Sequence, residues 1–471
     1  MKKLLTTAAL LTAALFSPTA GAQTGASGII IKKPAPTQAD AAPKKKTNLP
    51  EVTPVPFRVP KVQRVVSPKG IEAWLIEEKS TPVIALSATF KGGAASDPER
   101  LTGLSELAMS LLDEGAGRMN AEEFQGQLAE KAVSLSFDSG ADTLSAHLRT
   151  LRPHRRDAFG FLRLALTSPR FDRKAVRRVK EQMYALIEAR RSRPANMVYE
   201  RWLKLVFKGH PYSRLLPTRE GVKAVGRGNL RRFVRDRFAR DNLFIGVAGN
   251  ISAEELAVLL DETFGDLPEK SNVRPVPPFE PQTSARIDVL SADIPQSAVI
   301  FGHRGLPRSD PDFYAAYLLN YIFGGGSFSV RIFKEAREKK GLVYSIGTYL
   351  SLLDASPMLV GSASSDNAKM AQTVDIVKDQ WAAIADSGPT AEELRDAKTY
   401  MTGSFPLAFT SSAGLASFLA FMQYENLGID YLEKRNALME AVTPEQIRKT
   451  ARRLFLPDSL FFVVVGKPAN L

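Results

Sequence analysis

Arg337 and Tyr344 stand seven positions apart in GGGSFSVRIFKEAREKKGLVYS, residues 324–345, and their types suit them to holding a peptide. Gly324, Gly325 and Gly326 permit φ > 0 and close backbone approach, Arg331 to Lys340 read as a helix, and Gly341 reads as its left-handed C′ residue before an apolar strand. Arg337 then falls in the last helical turn and Tyr344 on the strand. A planar guanidinium and a phenol so placed converge on one peptide carbonyl or anion. The alternative is that Arg337 caps the helix carbonyls while Tyr344 is half-buried in a sheet.

The elements that must position this pair occur twice. Ala224 through Gly249 superposes on Ala441 through Gly466 at one constant offset of 217 with no gaps. Arg231, Arg235, Phe238, Asp241, Leu243, Phe244, Val247 and Gly249 then meet Arg448, Arg452, Phe455, Asp458, Leu460, Phe461, Val464 and Gly466. Both copies read as a basic amphipathic helix, a turn and a buried strand. At the front end, Gly92 through Ser96-Asp97-Pro98 matches Gly305 through Ser309-Asp310-Pro311, each after a hydrophobic strand. Two matches at nearly one offset indicate two homologous halves of about 200 residues. Strands come first in each half, then long helices, then a returning helix and strand. That order predicts an α+β fold, helices packed on a largely antiparallel sheet. The predicted divisions are a segment 1–22, a leader 23–60, a first domain 61–267, a proline-rich connector 268–282 and a second domain 283–471.

The 324–345 tract resembles the C-terminal half of the pitrilysin/insulinase-like zinc peptidases, with their GGG-F-S-x-R-(L/I)-F-x-E-x-R-E-K-(K/R)-G-L-x-Y segment. The resemblance covers roughly residues 60–468 and implies two α+β domains hinged as half of a clamshell around a peptide chamber. It also implies that Arg337 and Tyr344 hold the substrate backbone beside a zinc site. In such peptidases an H-x-x-E-H helix supplies two His ligands and a general-base Glu. The matching phrase here is Gly103-Leu104-Ser105-Glu106-Leu107-Ala108-Met109-Ser110. Glu106 replaces the first His, Met109 the base and Ser110 the second His, a set that cannot build this zinc site. Glu181 and Glu188 lie where the family's third ligand falls, and without its histidines a carboxylate there reads as part of a solvated helix face. His147, His154, His210 and His303 are the only histidines, none at metal-binding spacing, and there is no Cys. His210, in Gly209-His210-Pro211-Tyr212, reads as turn entry. The expectation is no metal and no cofactor in this chain, with zinc in a partner.

Composition frames these readings: 44% hydrophobic and 24% charged residues is ordinary for a globular chain. Lys2 and Lys3, the apolar run Leu4 to Phe16 and Ala20-Gly21-Ala22 read as a secretory signal peptide, so a periplasmic protein with no membrane insertion is expected. The leader is rich in Ala, Pro, Lys and Thr and reads as a flexible tether, although Ile29-Ile30-Ile31 leaves docking on a partner open. The net charge of +13 is concentrated in 149–193. Aromatic residues do not interleave there as a nucleic-acid platform requires, so the segment reads as a basic helical face open to anionic peptides or an acidic partner.

Two functions follow. In the first, the chain resembles alpha-type processing-peptidase subunits: inactive alone, it pairs with a homologous exported subunit carrying H-x-x-E-H and lends Arg337 and Tyr344 in trans to peptide hydrolysis. In the second it is a structural or peptide-binding assembly protein without a peptidase role.

Overall fold

The computed structural model describes residues 59–326 and 330–471. The predicted signal peptide 1–22 and all but the end of the leader 23–60 lie outside the described residues. Two sheets organise the chain. The first is built from β1 (Gln63–Val66), β2 (Glu72–Glu77), β3 (Val83–Lys91), β6 (Ser134–Ser139), β7 (Thr143–Leu151) and β8 (Leu243–Gly249), in the order β1-β2-β8-β3-β7-β6. A small hairpin, β4 (Gly115–Ala116) with β5 (Met119–Asn120), stands apart. The second sheet is built from β9 (Ile287–Ser291), β10 (Gln296–Arg304), β11 (Val343–Ser351), β12 (Met358–Asp366) and β13 (Phe461–Gly466), in the order β11-β12-β10-β13-β9. Among the described residues, only β2 with β8 and β9 with β13 pair in parallel.

Read from β2 to β6 and from β9 to β11, the two sheets have one topology: a parallel pair followed by three antiparallel steps. The duplication is therefore architectural. Gly249 and Gly466, 217 positions apart, end their strands at φ +130 and +149. An added Cβ would stand 2.1 Å from the Val83 carbonyl oxygen in one half and 2.1 Å from Ser297 Oγ in the other. The front-end match is equally concrete. Asp97 is held by Arg237 at 2.9 Å, and Asp310 by Arg453 at 2.8 Å, each arginine coming from the helix before the returning strand.

The helices of the first half are α1 (Leu104–Met109), α2 (Ala121–Glu130), α3 (Arg155–Thr167), α4 (Arg173–Arg191), α5 (Pro194–Val206), α6 (Arg219–Ala224), α7 (Arg227–Arg237) and α8 (Ala253–Phe264). Those of the second are α9 (Phe313–Asn320), α10 (Arg331–Phe333), α11 (Met370–Ser387), α12 (Ala391–Gly403), α13 (Ser412–Tyr424), α14 (Tyr431–Glu440) and α15 (Pro444–Leu454). Amphipathicity sets their faces. In α15, Ile447, Ala451 and Leu454 are buried while Arg448, Arg452 and Arg453 point outward.

Each half also gives one helix to the other's sheet. Helix α5 lies on β10 and β13, where Val198, Trp202 and Val206 join Ile300, Val463 and Val465 in one core, Trp202 stacking on Phe461 at 5.8 Å. Helix α13 lies on β2, β3 and β8, where Leu415, Ala416 and Leu419 join Trp74, Ile76 and Ala248. Close approach requires Gly246: a Cβ there would stand 2.0 Å from the Ala416 oxygen.

The turns of the β6–β7 and β11–β12 hairpins meet at the seam. Tyr212 Oη donates to Asp142 at 2.8 Å and accepts from the Ala355 N–H at 3.0 Å, and the Asp354 N–H donates to Asp142 at 3.2 Å. Tyr424 Oη donates to Asp354 at 2.5 Å. Burial, reinforced by Asp354, pushes the Asp142 carboxyl up to about 6. The proline-rich stretch after Leu267 is tied down at several points. Pro277 takes a 2.9 Å contact from His210 Nε2, and the Phe279 N–H donates to the Ala355 oxygen.

Candidate functional site

Helix α1, which carries the motif position, is fixed at its start by a buried network. Gly103 precedes it at φ +89, and Asp97 accepts from the Ser105 N–H at 3.0 Å and from Ser105 Oγ at 2.5 Å. Arg237 donates to both Asp97 and Ser105 Oγ at 2.9 Å. The helix start is thus held by hydrogen bonds, but the side chains at the motif position do other work. Met109 is core, and Ser110 Oγ turns back to donate to the Glu106 carbonyl at 2.8 Å. The Glu106 carboxylate lies 3.5 Å from Arg190 of α4. Burial pushes the Glu106 carboxyl up, and Arg190 pulls against that shift.

Of the carboxylates expected near the third-ligand position, Glu188 pairs with Arg191 at 3.6 Å and Glu181 is exposed, so neither is brought to Glu106. Among the described residues no group of three or more His, Cys, Asp or Glu side chains is arranged to hold a metal ion.

His210 and His303 are held in hydrogen-bond networks of the fold. His210 Nδ1 accepts from the Tyr212 N–H at 3.3 Å, which assigns the proton to Nε2, facing the Pro277 oxygen. His303 Nε2 accepts from Trp381 Nε1 at 3.0 Å and the Leu456 N–H at 3.1 Å, leaving Nδ1 to donate to the Arg304 oxygen at 2.7 Å. Burial holds His303 down to about 4. His147 stands 3.7 Å from Asp138, and burial lowers its pKa; His154 ends a short turn before α3.

The second half presents the Arg/Tyr pair. Segment 331–340 is helical as expected, but only α10 is α-helical; Lys334–Lys339 continue as a wider π-helical turn. Gly341 closes it at φ +58, with its N–H on the Arg337 oxygen and the Leu342 N–H on the Ala336 oxygen. Ala132, after the equivalent helix α2, takes the same left-handed conformation at φ +51.

The three glycines meet one half of the expectation, close approach, and not the other, positive φ. None of Gly324, Gly325 and Gly326 is in the positive-φ region, and they are needed for close packing. A Cβ would stand 2.7 Å from Thr348 Oγ1 at Gly324 and 2.3 Å from Asn320 Nδ2 at Gly325. Ser327, Phe328 and Ser329 of the tract lie outside the described residues.

Tyr344 falls in a β-bulge between Val343 and Ser345 on β11, the outermost strand of its sheet. The extra residue turns the ring outward, so Tyr344 is 81% exposed, and the half-buried alternative does not hold. The Arg337 guanidinium carbon lies 5.2 Å from the Tyr344 ring and 5.0 Å from the Phe333 ring. The structure thus brings together the two residues singled out from the sequence, and it adds Phe333. That addition had a signal: Phe333 and Arg337 are four apart on one helix face. Arg190 had none, because a cation on a basic helix looks like its neighbours. Chemically, Arg337 and Tyr344 offer a guanidinium and a phenol as donors at this edge.

Comparison with known proteins bears on both sites. Residues 224–401 match the family model described as the peptidase M16 inactive domain. The chain is similar to M16 proteins in sequence as well. It is 25% identical over 333 residues to the non-peptidase homolog YmxG of Helicobacter pylori, covering 70% of this chain and 77% of that protein. It is 22% identical over 400 residues to an uncharacterized zinc protease YmxG of Bacillus subtilis, covering 84% and 96%. The crystal structure of a peptidase M16 inactive domain from Pseudomonas fluorescens shares the fold at a TM-score of 0.81 and 24% identity, covering 87% of this chain and 98% of that one. The periplasmic protease PqqL from Escherichia coli shares it at 0.74 and 14% identity, this chain matching 46% of its length. The similarity to M16 proteins and the two-domain α+β fold accord with the sequence reading, and residues 224–401 are similar to the inactive M16 domain.

Proposed function

We propose that this chain is the non-catalytic subunit of an exported heterodimeric zinc metallopeptidase. The observation that carries the reading is the contrast between its two sites: Arg337 and Tyr344 converge on an open sheet edge, while Glu106, Met109 and Ser110 fill the motif position and Arg190 neutralises it. In that pairing a homologous exported partner bears H-x-x-E-H, and its zinc activates the water that attacks the peptide. This chain supplies half the chamber. The Arg337 guanidinium donates to the substrate carbonyl or to its developing oxyanion, and the Tyr344 hydroxyl donates beside it. Phe333 keeps the guanidinium facing the edge. The predicted signal peptide and the match to a periplasmic relative support a periplasmic site. Support for pairing comes from the inactive-domain match together with the Arg337 and Tyr344 donors presented at the sheet edge.

The test is isolation of the mature chain from its native periplasm, with metal analysis and peptide cleavage on the chain and on its complex. The proposal expects a zinc-bearing H-x-x-E-H homologue to co-purify and cleavage only with both present. A metal-free, inert chain in a non-peptidase assembly would overturn it in favour of the structural role.

A further inference from the structure

Helix α4 carries its charge at the unfavourable end. No acidic residue stands in its first turn, which begins Arg173-Lys174, although the positive end of a helix dipole favours anions. The one carboxylate at that end, Asp172, caps no backbone group, because Arg170 Nε holds it at 2.8 Å. Arg173, Arg177 and Lys180 then recur at spacings of four and three, on one helix face, where like charges repel.

That face walls a cavity of about 270 Å³ between α4 and the turn from α6 into α7. Val176 and Val225 line it, and Arg227 adds a fourth cation. Against these four cations the lining holds one carboxylate, Glu181. Some arginines elsewhere on this half are matched, Arg178 by Glu114, Arg190 by Glu106, Arg163 by Asp266, and Arg152 and Arg155 by Glu255, while others, such as Arg149, Arg231 and Arg232, stand singly without a carboxylate among the described residues. Arg173 and Arg177 form no ion pair or hydrogen bond among the described residues, and they differ from the single unmatched arginines in sharing one lining with Lys180 and Arg227. The Nε of Arg227 is buried without a hydrogen-bond partner, and its Nη2 reaches only the Arg170 oxygen at 3.4 Å. Lys180 is anchored by the Lys223 and Val225 oxygens at 3.1 and 2.6 Å, so its charge is fixed at the cavity.

We propose that this cavity is a binding site for a multiply charged oxyanion of the phosphate class. Guanidinium forks on two helix turns suit the tetrahedral oxygens of such a group, with Lys180 and Arg227 adding charge from the same lining. The space far exceeds the roughly 30 Å³ of one liquid water, so it admits a group of several heavy atoms. The site is independent of the peptidase pairing, since it lies on the first half and uses neither Arg337 nor Tyr344.

Pyrophosphate is the probe, applied to the purified mature chain by titration calorimetry and thermal unfolding, with sodium chloride at matched ionic strength as reference. Stoichiometric binding is expected, with a rise in Tm that chloride does not reproduce. The Arg173→Gln/Arg177→Gln variant should bind at least 10-fold more weakly. It should also melt higher than the native chain without anion, because the repulsion on α4 is relieved; a merely solvated basic face predicts no such pair of effects. Arg232→Gln, outside the cavity, should bind as the native chain does. Vesicles containing phosphatidylglycerol form the second arm: Arg173/Arg177-dependent binding to vesicles but not to pyrophosphate would assign the oxyanion to a lipid headgroup. Failure of both arms, or binding unchanged in the double variant, would overturn the site.

Discussion

Arg190 of α4 lies 3.5 Å from the Glu106 carboxylate of α1, at the position where the resemblance seats a histidine ligand. A fixed guanidinium therefore supplies the positive charge that a metal would bring in an active homologue. It comes from the same helix region that would have furnished the third ligand. In place of the histidines that the resemblance implies, the wall holds a half-buried ion pair.

Removing only one partner of that pair should be costly. Arg190→Ala leaves a desolvated carboxylate and should destabilise the chain by about 1–3 kcal/mol, measured as a fall in urea midpoint at pH 8. Adding Glu106→Gln should recover part of the loss. No recovery would mean that Arg190 acts through packing alone.

The seam between the halves should respond to pH. Asp142 is pushed up to about 6 from an ordinary value of 3.8, so the folded state holds its proton more tightly than the unfolded state does. Its contribution is therefore full below about pH 4 and lost as pH rises through 6. Allowing for partial exposure, the effect is on the order of 1–2 kcal/mol. The groups facing it are Asp354, Tyr212 and, beyond Asp354, Tyr424. Asp142→Asn should flatten this part of the stability profile between pH 4 and 7, and an unchanged profile would count against the seam.

His303 works in the opposite sense. Held down to about 4, it stays neutral while the unfolded imidazole protonates, so its contribution is lost as pH falls from 6.5 through 4. Its NMR resonances should show no titration above pH 5. His303→Ala should cost roughly 2–5 kcal/mol by stranding the Trp381 and Leu456 donors.

Much of this was legible in the sequence for physical reasons. The offset of 217 located the repeat because the buried strand ending at Gly249 and at Gly466 needs the same positive-φ glycine in both halves. Gly341 betrayed a helix end for a similar steric reason. The exchange of α5 and α13 was not legible, since an apolar helix face does not say which sheet it will cover. The Asp142–Tyr212–Asp354–Tyr424 seam joins four short polar segments whose meeting depends on that exchange. The bulge that exposes Tyr344 also left no mark, because Val343-Tyr344-Ser345 reads as ordinary strand.

Glycine substitutions separate these roles. Gly246→Ala drives a methyl into the Ala416 backbone and should destabilise the α13–sheet contact by about 1–3 kcal/mol or more. Gly126→Ala, inside α2 with nothing within 4 Å, should stabilise by roughly 0.5–1 kcal/mol. Thermal melts of the two variants should shift in opposite directions.

The most direct test of the central claim is turnover of a peptide by the reconstituted pair carrying Arg337→Ala or Tyr344→Phe in this subunit. A donor aimed at a developing oxyanion is worth about 10²–10³ in kcat. The account predicts a loss of that order for Arg337→Ala and a smaller one for Tyr344→Phe, with pairing affinity and zinc content unchanged. Unaltered turnover in a complex that still assembles would contradict it.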